Sequence, residues 1–173
     1  IRHYKLGMKV TQLVNLTANA LVIPEKKAVI PVTVPMAAAA LPLQGFKILV
    51  VDDEPDILTF ISVVLEDQGA TVLQAADGDQ ALTLTMAEKP DLITLDLSMP
   101  GKNGGMVFEE IRNNPEIAST KVCIITGKPE LRRLIYERPV PPPEGYLDKP
   151  IDEEALLTNI RKILETNPSV GHA

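Results

Sequence analysis

Cysteine and histidine are scarce in this chain. Cys123 stands alone within an apolar run; a disulfide framework and a thiolate metal site are therefore excluded, and a reducing, cytoplasmic setting is the default expectation. The two histidines, His3 and His172, lie at opposite extremes of the sequence, which argues against a catalytic or metal-ligating histidine. A membrane span is not expected either. Residues 28–46 are uncharged over about the length a spanning helix needs, but Pro31, Pro35 and Pro42 interrupt them, each removing a backbone donor. No secretory-leader pattern is evident, since the basic residues are scattered and the apolar stretch lies too far in.

What the chain has is acid, unevenly placed. Residues 1–45 carry Arg2, Lys5, Lys9, Lys26 and Lys27 against Glu25 alone, a net of +4, and the remainder carries −10 of the total −6. An acidic main body makes direct nucleic-acid binding an unexpected role. With 173 residues, there is room for one α/β domain and an appendage.

The appendage is residues 1–45. VTQLVNL (10–16) and ALVIPEKKAVIPVTV (20–34) have strand-like composition, and PEKK could turn a hairpin between them. Two strands alone are marginal in water, so the arm is expected to lean on the domain, on a second copy of the chain or on a neighbouring domain. MAAAALPLQ reads as a linker. The first residue, Ile1, suggests a fragment, a processed chain or a numbering choice.

From Phe46 the pattern alternates. Strands are predicted at 47–51, 71–75, 91–97, 121–126 and about 145–147; helices are predicted at 55–68, 78–88, 105–113, 130–137 and 153–165. Asp152 is placed to cap the last helix. Five strands alternating with five helices require a parallel sheet covered on both faces, and a flavodoxin-like, doubly wound order 2-1-3-4-5 follows from right-handed crossovers. The domain is expected over 46–166, with a tail at 167–173.

In such a sheet the ligand sits beyond the carboxyl ends of the strands. KILVVDDE (47–54) delivers Asp52 and Asp53 there, the third strand Asp96, the fourth Thr126 and the fifth Lys149. Carboxylates from adjacent strands suit Mg²⁺. A cation, a hydroxyl and an ammonium around one carboxylate also cradle a phosphoryl group, and phosphoryl transfer onto Asp96 is the chemistry they suggest. Each residue alone has a plainer reading. Asp53 or Glu54 could simply cap the first helix, Asp96 could be a loop acid, Thr126–Gly127 a turn, Lys149 a surface lysine and Tyr146 a core or half-buried surface residue.

Taken together, VVDDE (50–54), ADG with AL (76–78, 81–82), DLSMPGKNGG (96–105), Thr126–Gly127 and YLDKP (146–150) resemble the response-regulator receiver domain of two-component signalling. The resemblance implies that Asp96 is the phosphoacceptor, taking its group from a sensor histidine kinase or phosphotransfer protein. It implies that Asp52, Asp53 and Asp96 hold Mg²⁺ with the backbone carbonyl of Ser98, and that Lys149, before a cis Pro150, pairs with the phosphoryl oxygens. Thr126 and Tyr146 are the implied switch pair, passing the change to a helix 4/strand 5/helix 5 face, a downstream protein and, through that face or the arm, a homodimer. Ser98 and Lys128 sit where the family tunes phosphoryl lifetime. The output is a change of protein partner, with no multiple-turnover substrate. A Mg²⁺-dependent aspartyl-phosphate phosphohydrolase is the competing class, though Ser98 stands where such enzymes carry a second acid. A receiver portion of a hybrid histidine kinase is the other alternative. One departure from the family stands out: ELRRLIYE runs into RPVPPPEG, so helix 4 should be short or displaced.

Overall fold

The computed structural model describes residues 40–165. Its elements are β1 (Lys47–Val51), α1 (Pro55–Asp67), β2 (Thr71–Ala75), α2 (Gly78–Glu88), β3 (Leu92–Asp96), α3 (Gly104–Asn113), β4 (Lys121–Thr126), α4 (Leu131–Tyr136), β5 (Gly145–Asp148) and α5 (Glu153–Glu165). The strands form one parallel sheet in the order β2-β1-β3-β4-β5, the predicted flavodoxin-like winding. The anticipated hairpin at 10–34 and the tail at 167–173 fall outside the described residues.

The central strands read as unbroken apolar runs because both of their faces are covered. Successive side chains alternate between two cores. Leu49, Ile93, Leu95, Val122 and Ile124 meet α2, α3 and α4 through Ala81, Val107, Phe108, Ile111 and Ile135. Ile48, Val50, Leu92, Cys123 and Ile125 meet α1 and α5 through Leu58, Ile61, Leu65, Leu156 and Ile160. Burying one such side chain fully contributes about 1.5–3 kcal/mol, which is why a slip of one residue in any central strand would be so costly.

Helix starts are set by short polar side chains. Asp77 accepts from the Gln80 amide at 2.8 Å, Asn103 from Met106 at 3.1 Å and Asp152 from Ala155 at 2.9 Å, each satisfying a donor the helix leaves free. At the other end, Gly69 turns with φ +91 and lies against Leu41, where a Cβ would come within 2.8 Å of that side chain.

Two features differ from expectation. Leu43, assigned above to a linker, is buried at 1 % exposure and donates its amide to Gln68 at 2.8 Å. The turn at 42–45 carries it into the α1/α5 core, so the packed domain begins before Phe46. Glu54, one candidate cap of α1, occupies the N-cap position without making a side-chain cap bond; its carboxylate is engaged elsewhere. Helix α4 is short, as the prolines after it require, with six residues. Among the described residues no helix is long and apolar enough to cross a membrane.

Candidate functional site

Strand β1 ends at Val51, and the next residue, Asp52, is almost fully buried. Its Oδ1 accepts the Glu54 amide at 3.0 Å, so the acid itself shapes the turn into α1. Asp96 closes β3 and is also buried. One carboxylate oxygen from each of Asp52, Asp53 and Asp96 lies within 4.8 Å of the other two. Three acids at such separations are unfavourable without a counter-charge.

Lys149 supplies part of it. Its Nζ stands 2.8 Å from Asp52 Oδ2, 3.0 Å from Glu54 Oε1 and 3.6 Å from Asp96 Oδ1. It follows β5 and precedes Pro150 across a cis peptide bond, and its amide donates to the Thr126 carbonyl at 3.0 Å. Burial alone would lower the lysine's pKa, but contact with Asp52 and Glu54 and the charge of Asp96 raise it on balance. The group is therefore an ammonium.

Asp96 is held from two directions. Its Oδ2 accepts the Ser98 amide at 2.9 Å, whereas its Oδ1 is buried and has no hydrogen-bond partner among the described residues. Burial pushes the Asp96 carboxyl above the usual range; Lys149 opposes this, and the Asp52 charge adds to it. A buried carboxylate oxygen that accepts no hydrogen bond keeps a lone pair available to a further partner.

Thr126 ends β4, fully buried, and its Oγ1 accepts the Lys128 amide at 3.1 Å. Tyr146 lies apart from the acids, on β5 beneath α4. Its half-buried ring stacks on Tyr136 with centroids 5.3 Å apart, and the Arg132 guanidinium lies 5.3 Å from the ring. Arg132 is itself paired with Asp148 at 2.5 Å. The fold thus gathers Asp52, Asp53, Asp96 and Lys149, sets Thr126 on the next strand and leaves Tyr146 on the flank.

Sequence reasoning missed two contributors. Glu54 shares Lys149 with the acids, an ion pair across 95 residues of chain. Gly104, the first residue of α3, sits so close to the end of β3 that a Cβ there would lie 1.9 Å from the Asp96 carbonyl oxygen. The Gly-Gly pair at 104–105 in the quoted motif was the available signal for a close backbone approach.

Comparison with known proteins agrees with this geometry. Residues 48–161 match the family model of the response regulator receiver domain. Over 118 residues the chain is 34 % identical to protein PilH of Pseudomonas aeruginosa, covering 68 % of this chain and 97 % of that protein. It is 36 % identical over 120 residues to the transcriptional regulatory protein CpxR of Escherichia coli K12, covering 68 % of this chain and 49 % of CpxR. The solved structure of the chemotaxis response regulator CheY4 of Vibrio cholerae superposes with a TM-score of 0.63 at 30 % identity, covering 69 % of this chain and 98 % of that one.

The chain belongs to the response-regulator receiver family of two-component signalling. It spans nearly all of PilH but about half of CpxR. Receiver domains bind Mg²⁺ at an acidic cluster and work with histidine kinases or phosphotransfer partners; here the matching acids are Asp52, Asp53 and Asp96.

Proposed function

We propose that Asp96 is the phosphoacceptor of a cytoplasmic signalling switch. The observation that carries this reading is the buried Oδ1 of Asp96, which accepts no hydrogen bond among the described residues and faces the Lys149 ammonium at 3.6 Å. In the proposed reaction a carboxylate oxygen of Asp96 attacks phosphorus in a partner's phosphohistidine. The P–O bond of an acyl phosphate forms as the P–N bond breaks, and the imidazole keeps the electron pair and takes up a proton. Hydrolysis of the acyl phosphate by water later returns the carboxylate and inorganic phosphate.

The residues fit a divalent cation: one oxygen from each of Asp52, Asp53 and Asp96 lies within 4.8 Å of the other two, and Asp96 Oδ1 has no hydrogen-bond donor among the described residues. Asp52, Asp53, Asp96 and the Ser98 backbone carbonyl would hold Mg²⁺, which when bound neutralises the charge of the carboxylates and of the incoming phosphoryl oxygens. Lys149 is already charged and placed to follow those oxygens. Thr126, now accepting from Lys128, would give its hydroxyl hydrogen to one of them, and Tyr146 would repack beside Tyr136 and Arg132 as Thr126 moves. The output is then an altered surface for a downstream protein, or for a second copy of the chain.

Beryllofluoride with Mg²⁺ should bind at Asp96, acetyl phosphate should label it, and Asp96→Asn should abolish both. Labelling that survives this substitution would sink the assignment. Sustained turnover of a small phosphate ester would sink the switch reading in favour of a hydrolase.

A further inference from the structure

A second concavity lies beside the acids, between the β3–α3 loop and α4. It holds about 320 Å³, near the lower end of the range for small-molecule sites and too small for a helix. Its floor is apolar, built from Leu97, Met99, Leu131 and Ile135. Around that floor stand Ser98, Asn103, Lys128 and Arg138, and among the described residues no carboxylate lines it. That omission is informative in a body with 22 acids against 12 bases.

The polar groups are also unequal in their commitments. Arg132, Arg133 and Arg138 are each paired with a carboxylate, on Asp148, Glu137 and Glu109 respectively. Lys128, at the mouth of the cavity, has no such partner among the described residues. Asn103 spends its Oδ1 on capping α3, which leaves its amide donors open. An apolar floor, an uncommitted ammonium and neutral donors select a ligand with an apolar body and one negative charge.

The cavity also touches the proposed acceptor machinery through the backbone. The Lys128 amide donates to Thr126 Oγ1 and the Ser98 amide to Asp96 Oδ2. We propose that this cleft binds a small amphiphilic monoanion, its carboxylate or sulfonate on Lys128 and its apolar body on Leu97, Met99 and Leu131. We infer that occupancy is coupled to the state of Asp96. The binding site stands on the cavity alone, whereas the coupling rests on the phosphoacceptor reading.

The test uses the full 173-residue chain and 8-anilinonaphthalene-1-sulfonate as probe, titrated by fluorescence and calorimetry. One saturable site is expected. Lys128→Ala and Leu134→Asp, the latter at the exposed rim, should each weaken it about five- to tenfold, Lys128→Arg should retain it, and Lys89→Ala, just past the end of α2, should leave it unchanged. The uncharged analogue N-phenyl-1-naphthylamine should bind more weakly by a similar factor. No saturable binding, or binding indifferent to both cleft substitutions, overturns the site. With Mg²⁺ and beryllofluoride the probe's affinity should shift by about threefold or more, and beryllofluoride's affinity should shift by the same factor when the probe is present. An unshifted affinity overturns the coupling and leaves the site standing. Asp96→Asn separates the two readings, because it should remove the shift while keeping the probe bound.

Discussion

Two charged clusters, each centred on buried groups, occupy opposite edges of one sheet, and they are built on opposite terms. At the amino-terminal edge Arg112 meets Glu144. The guanidinium Nη1 donates to the Ala118 and Thr120 carbonyls at 3.0 and 2.7 Å, and Nη2 donates to both Glu144 oxygens at 3.0 and 2.8 Å. Glu144 Oε2 also accepts the Val122 amide at 2.6 Å, and Arg112 lies over the Phe108 ring at 5.1 Å. One cation faces one anion, and the Nη donors and the carboxylate are engaged. At the carboxyl-terminal edge Asp52, Asp96 and Glu54 share one ammonium beside Asp53, and Asp96 Oδ1 has no hydrogen-bond donor among the described residues. The first cluster is balanced and holds the start of β5 and the Pro-rich segment against α3. The second is over-acidic, an arrangement that disfavours the isolated fold and favours binding a cation and a phosphoryl group.

This contrast can be broken experimentally. Arg112→Met should have the largest effect on stability. It leaves the Glu144 carboxylate and two carbonyls without their partner, at a cost of about 2–4 kcal/mol, readable as a lower urea midpoint with an unchanged m-value. A loss under about 1 kcal/mol would remove the structural role given to the pair. Gly104→Ala should follow at about 1–3 kcal/mol, since its Cβ cannot coexist with the Asp96 carbonyl and the β3 end must move. It should also slow labelling by acetyl phosphate, an effect Arg112→Met should not show once the protein is folded.

Asp96→Asn should go the other way and raise Tm by about 3 °C, the shift that roughly 1 kcal/mol produces in a domain of this size. The sign follows from linkage. Burial raises the Asp96 pKa, so the folded state holds a proton that the unfolded chain has already released, and stability falls as pH rises between the two values. The gain from Asn should therefore be full above that window and vanish below it, in thermal melts run with a chelator. A gain that grows toward acid pH would contradict the cause given. The smallest effect concerns Cys123, whose thiol burial pushes up to about 12. Native protein at pH 8 should react with a thiol reagent only as fast as it unfolds, and stability should be lost as pH climbs from the ordinary thiol range toward that value. Rapid reaction of the native state would place the side chain outside the α1/α5 core.

Most of the architecture was legible because it rests on local periodicity. The runs KILVV, TVLQA and KVCIIT became β1, β2 and β4 over the same residues, and EEALLTNIRKILE became α5. Prolines 139, 141, 142 and 143 announced a short α4, since a ring without an N–H cannot continue a helix. The principal site acids and Lys149 were legible for a related reason: in a parallel sheet, strand ends identify which residues share an edge. Leu43, Glu54, Gly104 and the Arg112–Glu144 pair were not. Leu43, Glu54 and Arg112 owe their roles to partners distant in sequence, and Gly104 to the return of α3 against the end of β3, where the Gly-Gly pair signals a close approach without saying to what.

The sequence by itself determined the alternating elements, the winding of the sheet and the convergence of Asp52, Asp53, Asp96, Thr126 and Lys149 at one edge, because repeat patterns and strand ends are one-dimensional properties. Only the tertiary structure decided how charge is distributed among them: which carboxylates share Lys149, which Asp96 oxygen accepts no hydrogen bond, and which cavity beside the site is lined without a carboxylate. Those depend on distances of a few ångströms between residues brought together by folding, the cavity pairing an apolar floor with basic and neutral polar groups, and electrostatic and hydrogen-bond energies change steeply over that range.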